Sequence, residues 1–550
     1  MKSNRASKRG RKRRGLVCLG LMLAIFPLSG VQHAAAEETT TTFTYDISAA
    51  HHAVSGPGAG QSNLSLGYRF LGELDYKLVR TDGDKNFIFR IRSRATDDPS
   101  IDSQRWSLNN LELRWENPGY KLHLGDVFAD FSQYSLSGSI KGALYIMNPQ
   151  SGSQQWSLVT GLSYPRWDNF WGGEQTKSIR RMVHGVNFRD TASDKFTYGI
   201  TAVRSSDSNR VASYDDLFDN KLFAFSWDYT LQENMALKGE SSFSSGTKYV
   251  ITDTGNEQSV GQSGQAHQLI WTNHLRHQRW SYEYEYVSPD FTTLLGSAIT
   301  DRERMKLRWR NSINPDTTLT FGLLWFHNRL SGSPKTVRTD SYQPEFTVSF
   351  NAPFKRDNAT LDLRLGLDRR MSADTNVADR NIGINYRDII GATDLDLSLE
   401  HAWFDTRPYD SGNKNNEFNA TLTLGTRIQK GDALWRPNIT IGSRRNRNVL
   451  EAYSDRMWEY SLGIGYDVPN QGFTSNLRIG QKYNTNGKAG VDSSQRWFAS
   501  LDMEAKPRYL AWISPNAKHY LRIGINDYKF DSAGNNYRET SIVTGIKVDI

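Results

Sequence analysis

Two short runs place positive charge at every second residue: Arg90, Arg92 and Arg94, then Arg304, Lys306, Arg308 and Arg310. On an extended chain that spacing sends a whole run to one side. Charges of both signs recur at the same spacing elsewhere, in Glu112 with Arg114, Glu283 with Glu285, Asp362 with Arg364, and Asp394 with Asp396. Arg427, Arg478 and Arg522 continue the set. Rows of like charge around a narrow pore select ions. Charges of opposite sign facing one another across strands pair instead and hold a wall together. Spacing alone leaves both readings open.

Other chemistry is sparse. The 11 His are scattered, His123, His184, His274 and His401 among them, and none stands in a nucleophile–base or metal-binding motif. There is no HExxH, no phosphate-binding glycine loop and no serine elbow. The one cysteine, Cys18, rules out a thiolate metal site or a haem attachment motif further along the chain. The expectation is therefore no catalytic residue, no metal, no cofactor and no enzyme.

The elements that carry these charges are strands. Leu361, Leu363, Leu365 and Leu367 alternate with Asp362, Arg364, Gly366 and Asp368, and Trp458–Asp467 and Asp394–Glu400 repeat the pattern. Each such segment has one apolar and one polar face. A single segment would suit a soluble antiparallel sheet. About 22 to 26 of them between Thr41 and Ile550 predict an all-β fold, one large antiparallel transmembrane barrel with lipid outside and water inside. Aromatics make up 12% of the chain although its mean hydropathy is −0.61, which fits half-polar strands with interfacial girdles and argues against disorder. Rings such as Trp115, Trp309 and Trp403 close apolar rows, where a girdle would lie; two stacked sheets are the other arrangement that uses aromatic rows. Tight turns (Asp82-Gly83, Asn117-Pro118-Gly119, Asn314-Pro315-Asp316, Lys430-Gly431-Asp432, Pro469–Gly472) suit the periplasmic side. The longer polar stretches 205–220, 244–265, 409–416 and 483–494 suit loops on the outer side. Glycines on the polar face, Gly366, Gly463 and Gly480 among them, relieve crowding or let another backbone approach.

Residues 1–36 read as a signal peptide for ordinary export: a basic start from Lys2 to Arg14, an apolar core from Leu16 to Leu28, then Ala34-Ala35-Ala36. Eight of the 67 Lys and Arg fall there and none of the 59 Asp and Glu, so residues 37–550, the barrel domain, are balanced at 59 of each. The pI of about 9.2 thus belongs mostly to the leader and does not imply nucleic-acid binding.

From its alternating strands the chain resembles the Gram-negative outer-membrane β-barrel class. Its last strand, with Ile542, Thr544, Ile546, Val548 and Ile550 on one face, resembles the C-terminal strand such barrels present to the barrel assembly machinery, although Ile550 stands where that class usually ends in an aromatic. Leu124–Ala143 resembles the Gly-Asp strand-turn-strand region of fimbrial usher barrels, but ushers carry a plug and soluble domains not recognised here, so their function is not carried over. Tyr164–Gly173 is a second irregular segment, suited to a rim loop or to contact with a sugar or partner. The class implies a porin-like channel in contact with outer-membrane lipid and passing solutes or a polymer; porins of the class are often trimers, and the large size of this barrel favours a monomer. The alternative is a structural sheath whose lumen is filled by a periplasmic or extracellular partner protein, as in a cytochrome conduit or polysaccharide export.

Overall fold

Alternation of this kind leaves each strand with unsatisfied backbone edges, and in lipid those can be met only by closing the sheet on itself. The computed structural model does so. It describes residues 38–148, 154–164, 166–167, 178–208, 211, 216–252, 255–328, 330, 338–408 and 414–550; the expected signal peptide lies outside the described residues. Every strand pairs antiparallel with its sequence neighbour, and the first, Glu38–Ser55, pairs with the last, Tyr537–Asp549. Phe43 and Ile550 exchange both backbone hydrogen bonds, at 2.8 and 2.9 Å, across this closure. Of the 27 strand segments, Lys414–Thr426 and Ile428–Lys430 form one wall strand interrupted at Arg427, giving a barrel of 26. The described residues form a single sheet, with no second one stacked upon it. Strands spaced about 4.8 Å apart and tilted about 40° put the opposite backbone walls roughly 50 Å apart.

The tight turns all fall on the rim that holds the start of the first strand and the end of the last. Trp115, Trp156, Trp280, Trp309 and Trp435 lie toward that rim, and Trp325, Trp403, Trp458 and Trp497 toward the other, forming two belts on the apolar face. One expected loop is corrected. Residues 244–265 are mostly strand, because Met235–Ile251 and Glu257–His274 run on as a paired hairpin past the apolar belt. Beyond that belt the outer face no longer meets lipid, so the sequence alternation that marks a half-buried strand disappears.

Candidate functional site: a hairpin folded into the lumen

The wall departs furthest from regular pairing between residues 125 and 141. Strand Tyr120–Ser132 pairs with Trp106–Glu116 only as far as Gly125, and Leu136–Met147 pairs with Gln154–Leu162 only from Lys141 onward. Between these limits the two strands stay paired to each other, from Asp126 to Ile140, as a hairpin that leaves the wall. Gly125 turns the chain with φ +93°, and a Cβ there would lie 2.1 Å from the Leu111 carbonyl oxygen. Gly142 and Gly161 sit face to face, where a Cβ on Gly142 would lie 2.0 Å from the Thr160 oxygen. Side chains at these positions would block the bend.

One face of the hairpin, Val127, Ala129, Leu136 and Ile140, is buried against Val159, Val183 and Val203 of the neighbouring wall. Burial of each larger aliphatic side chain contributes about 1.5–3 kcal/mol. Gly185 leaves room for the Phe131 ring, whose edge would lie 2.9 Å from a Cβ there. The covered wall face also carries Glu240 and Glu285, while Phe243 and Tyr284 alternate with them on the opposite face, so the hairpin lies on the polar, lumenal side.

The tip is held by carboxylates. Glu240 accepts hydrogen bonds from the Ser132 hydroxyl (2.8 Å), the Gln133 N–H (3.1 Å) and the Tyr134 N–H (3.1 Å). The fully buried Tyr134 donates its hydroxyl to Glu285 Oε1 at 2.8 Å, and Arg304 bridges Glu285 (2.9 Å) and Glu283 (2.5 Å). Each carboxylate therefore meets donors rather than bare wall, as burial of charge requires.

A second segment folds inward over this tip. Between strands Gln278–Val287 and Arg302–Asn314, the Leu295 carbonyl accepts from Ser137 N–H (3.0 Å) and Ser297 N–H donates to the Gln133 carbonyl (2.8 Å). Phe291 packs edge-on against Tyr134 at 6.0 Å, and its backbone crosses Gly264 so closely that a Cβ there would lie 2.2 Å away. Thr292 N–H donates to Ser244 Oγ (2.9 Å), and Asn220 Nδ2 donates to the Thr292 carbonyl (2.8 Å).

Where the hairpin leaves the wall, side chains replace the backbone ladder. Asp126 accepts from Leu111 N–H (2.8 Å), Trp167 Nε1 (2.5 Å) and Lys141 Nζ (2.6 Å), and Lys141 also lies 5.1 Å from the centre of the Trp167 ring. Arg166 donates to both oxygens of Asp102 at 2.9 Å. Burial pushes the Asp102 carboxyl up, but the Gln104 N–H, the Arg166 guanidinium and the Ser107 hydroxyl outweigh it and hold the group below the usual carboxylate range. Trp167, of the irregular segment Tyr164–Gly173, thus meets Asp126 of Leu124–Ala143 at one seam; residues 168–173 lie outside the described residues.

The charges singled out by spacing are spread around the wall. Arg90 pairs with Asp75 (2.6 Å), Arg92 with the same carboxylate (3.6 Å), Arg94 with Glu73 (2.6 Å), and Arg114 with Glu112. Arg364 pairs with Glu345 (2.9 Å), Arg427 with Asp394 (3.7 Å), and Asp396 with Arg387 (3.0 Å). Arg478 pairs with Glu459 (3.3 Å) and Arg522 with Asp502 (3.6 Å). Lys306, Arg308 and Arg310 share the polar face with Arg304, as Asp362 does with Arg364. Only Glu283, Glu285 and Arg304 join the hairpin site. Glu240 and Phe291 were not anticipated, the one in a run that reads as ordinary wall and the other in a connection; Asp126, Tyr134 and Lys141 lie in Leu124–Ala143, which stood out as irregular without any of the three being singled out. No cluster of three metal-ligating side chains occurs among the described residues.

A closed sheet with an apolar outer face, two aromatic belts and a polar, ion-paired inner face defines an outer-membrane β-barrel. Among solved structures, the chain is similar to the P pilus usher (PapC) translocation pore, at 11% identity and a TM-score of 0.36, over 92% of this chain and 100% of that one. It is also similar to the E. coli P pilus tip assembly intermediate PapC-PapD-PapK-PapG (9%, TM-score 0.46), covering 94% of this chain and 62% of that chain. A third is Pseudomonas aeruginosa OpdK with vanillate (12%, TM-score 0.28, 65% and 99%). At these identities the likeness concerns the fold alone. No family model matches the sequence, and no curated protein does.

Proposed function

We propose that this barrel is a porin-like channel of the Gram-negative outer membrane, through which solutes or a polymer pass. The observation that carries the reading is the inner face, lined over most strands by charge, much of it ion-paired, with Ser, Thr, Asn and Gly, around a lumen roughly 50 Å wide between backbones. The hairpin and the inward segment cover one sector of that lumen, and two strands are only about 5 Å apart. They narrow the passage without spanning it. In this reading residues 1–36 are removed on export, the last strand is presented to the assembly machinery, and the barrel works as a monomer.

The same width supports a second reading, a sheath around a periplasmic or extracellular partner protein. Single-channel recording in planar bilayers separates the two. A large, stable conductance supports the channel and sinks the sheath; a barrel that never conducts, yet copurifies with a stoichiometric partner from its native membrane, does the reverse.

A further inference from the structure

Over most of the wall the polar face carries rings singly, as at Phe218, Phe326 and Phe404. One sector differs. On the polar faces of the last four strands, Phe473–Thr485, Ser494–Ala505, Lys518–Phe530 and Tyr537–Asp549, rings and guanidinium groups interleave. Tyr537 stands opposite Tyr528 with ring centres 4.5 Å apart and 19° between planes, and Phe530 stacks above Tyr537 at 6.2 Å and 20°. Arg496, opposite Tyr528, lies 5.8 Å from that ring and 5.1 Å from Phe498, which Arg478 approaches at 5.3 Å from below. Arg522 over Tyr520, at 4.9 Å, continues the row toward the tight-turn rim.

Phe498 and Tyr520 lie flat against the wall because the residues beneath them are Gly480 and Gly545: a Cβ at either would meet the ring at 2.4 Å. From Phe530 to Tyr520 the row runs ten residues along one strand, about 33 Å, or roughly 25 Å along the barrel axis once tilt is allowed for. That is the height of the apolar band outside. These rings are half-buried against one another and the wall, and each keeps part of its surface open to the lumen. They hold the guanidinium groups flat and pre-oriented, Arg478 and Arg522 with one side engaged by Glu459 and Asp502. Arg496 and Lys482, paired in register, make no ion pair among the described residues.

We propose that this sector is a binding track for an acidic glycan, with ring faces taking sugar faces and guanidinium edges taking carboxylates. The proposal names the cargo of the channel reading and rests on that reading for transport; binding to the track does not depend on conduction. The test uses the full barrel in planar bilayers, first without sugar, then with an oligogalacturonate or a neutral dextrin of equal length. Block is read relative to each variant's own sugar-free current. The expected result is transient block by the acidic oligosaccharide at concentrations at least ten-fold below the dextrin. The triple variant R496Q/F498S/Y528S is expected to weaken it ten-fold or more, and R496K, which keeps charge but loses the planar fork, to an intermediate degree. Block unchanged in the triple variant overturns the site, and equal block by both sugars overturns the acidic assignment. If the barrel does not conduct, the channel reading fails, and calorimetric titration of the same oligosaccharides into the detergent-solubilised barrel still decides the track.

Discussion

Tyr134 reaches Glu285 across 151 residues of sequence, its hydroxyl 2.8 Å from Oε1, and through this contact the hairpin tip is fixed to a wall strand far along the chain. Tyr134→Phe removes the donor and leaves Arg304 on the carboxylate. A hydrogen bond to a charged group contributes about 1.5–3 kcal/mol. The expected outcome is a tip that opens more often while the barrel stays folded. Amide exchange should rise from Asp126 to Ile140 and remain unchanged in strands such as Tyr453–Val468; uniform exchange across both would refute the role of the contact.

At the seam, Asp126→Asn leaves the Lys141 ammonium, 5% exposed, without its counter-ion. Breaking a buried pair from one side costs about 3 kcal/mol or more. The urea midpoint for loss of the folded, heat-modifiable gel band should fall. The double variant D126N/K141M should recover part of it, because no buried charge is then left alone. A double variant as weak as the single would contradict this.

The Arg166–Asp102 contact should respond to acid and not to mild alkali. The folded Asp102 carboxyl lies below its unfolded value, so its contribution is complete above the unfolded pKa, about 3.9, and is lost as pH falls through the lower folded value. A fluorophore on a cysteine introduced at Ser178 should report no change between pH 5 and 8 and release of the segment well below pH 4. In D102N the released signal is expected at every pH. A transition near neutrality in the parent protein would be the wrong sign of behaviour for this carboxylate.

Gly125→Ala should oppose the inward turn, since the substitution combines a left-handed φ with a collision against the Leu111 carbonyl. Strain of this kind costs on the order of 1–3 kcal/mol. Less of the protein should reach the folded band, and what does should show a larger conductance than the parent. Parent-like yield and conductance together would show that the bend does not depend on this glycine.

Arg304 is neutralised by Glu283 and Glu285, whereas Lys306, Arg308 and Arg310 have no ion pair among the described residues. R308E/R310E should therefore shift the reversal potential in a salt gradient toward cations, while R304Q, which unpairs two acids, should do so less cleanly and reduce stability. No shift in the double variant would mean that current does not pass this sector of the wall.

The wall was legible because lipid on one side and water on the other impose a two-residue period. Leu361 to Asp368 shows it, and so do Trp115 and Trp403 at opposite belts. Leu124–Ala143 stood out as irregular, but its inward course was not legible, for the same reason. Val127, Ala129 and Phe131 alternate with Phe128 and Asp130 whether the strand faces lipid or lies on the inner wall, so the pattern cannot say which surface covers it. Phe291 and Leu295, apolar residues in a segment that reads as a connection, were the signal that a loop turns inward, and Gly264 and Gly296 make room for it. The expectation that glycines on the polar face admit either side chains or backbone resolves by position. Gly463 and Gly480 meet the side chains of Asn438 and Phe498, whereas Gly142 and Gly264 meet backbone.

Around nearly all of its circumference the barrel resists hoop tension through ladders of backbone hydrogen bonds that share load along a whole strand. Next to the displaced hairpin that load falls on a few contacts converging on Asp126. Stretching the wall, by a wide object in the bore or by tension in the surrounding bilayer, would concentrate strain on this line. The cylinder would be expected to yield there as a lengthwise slit, opening sideways while the rest of its wall kept its curvature.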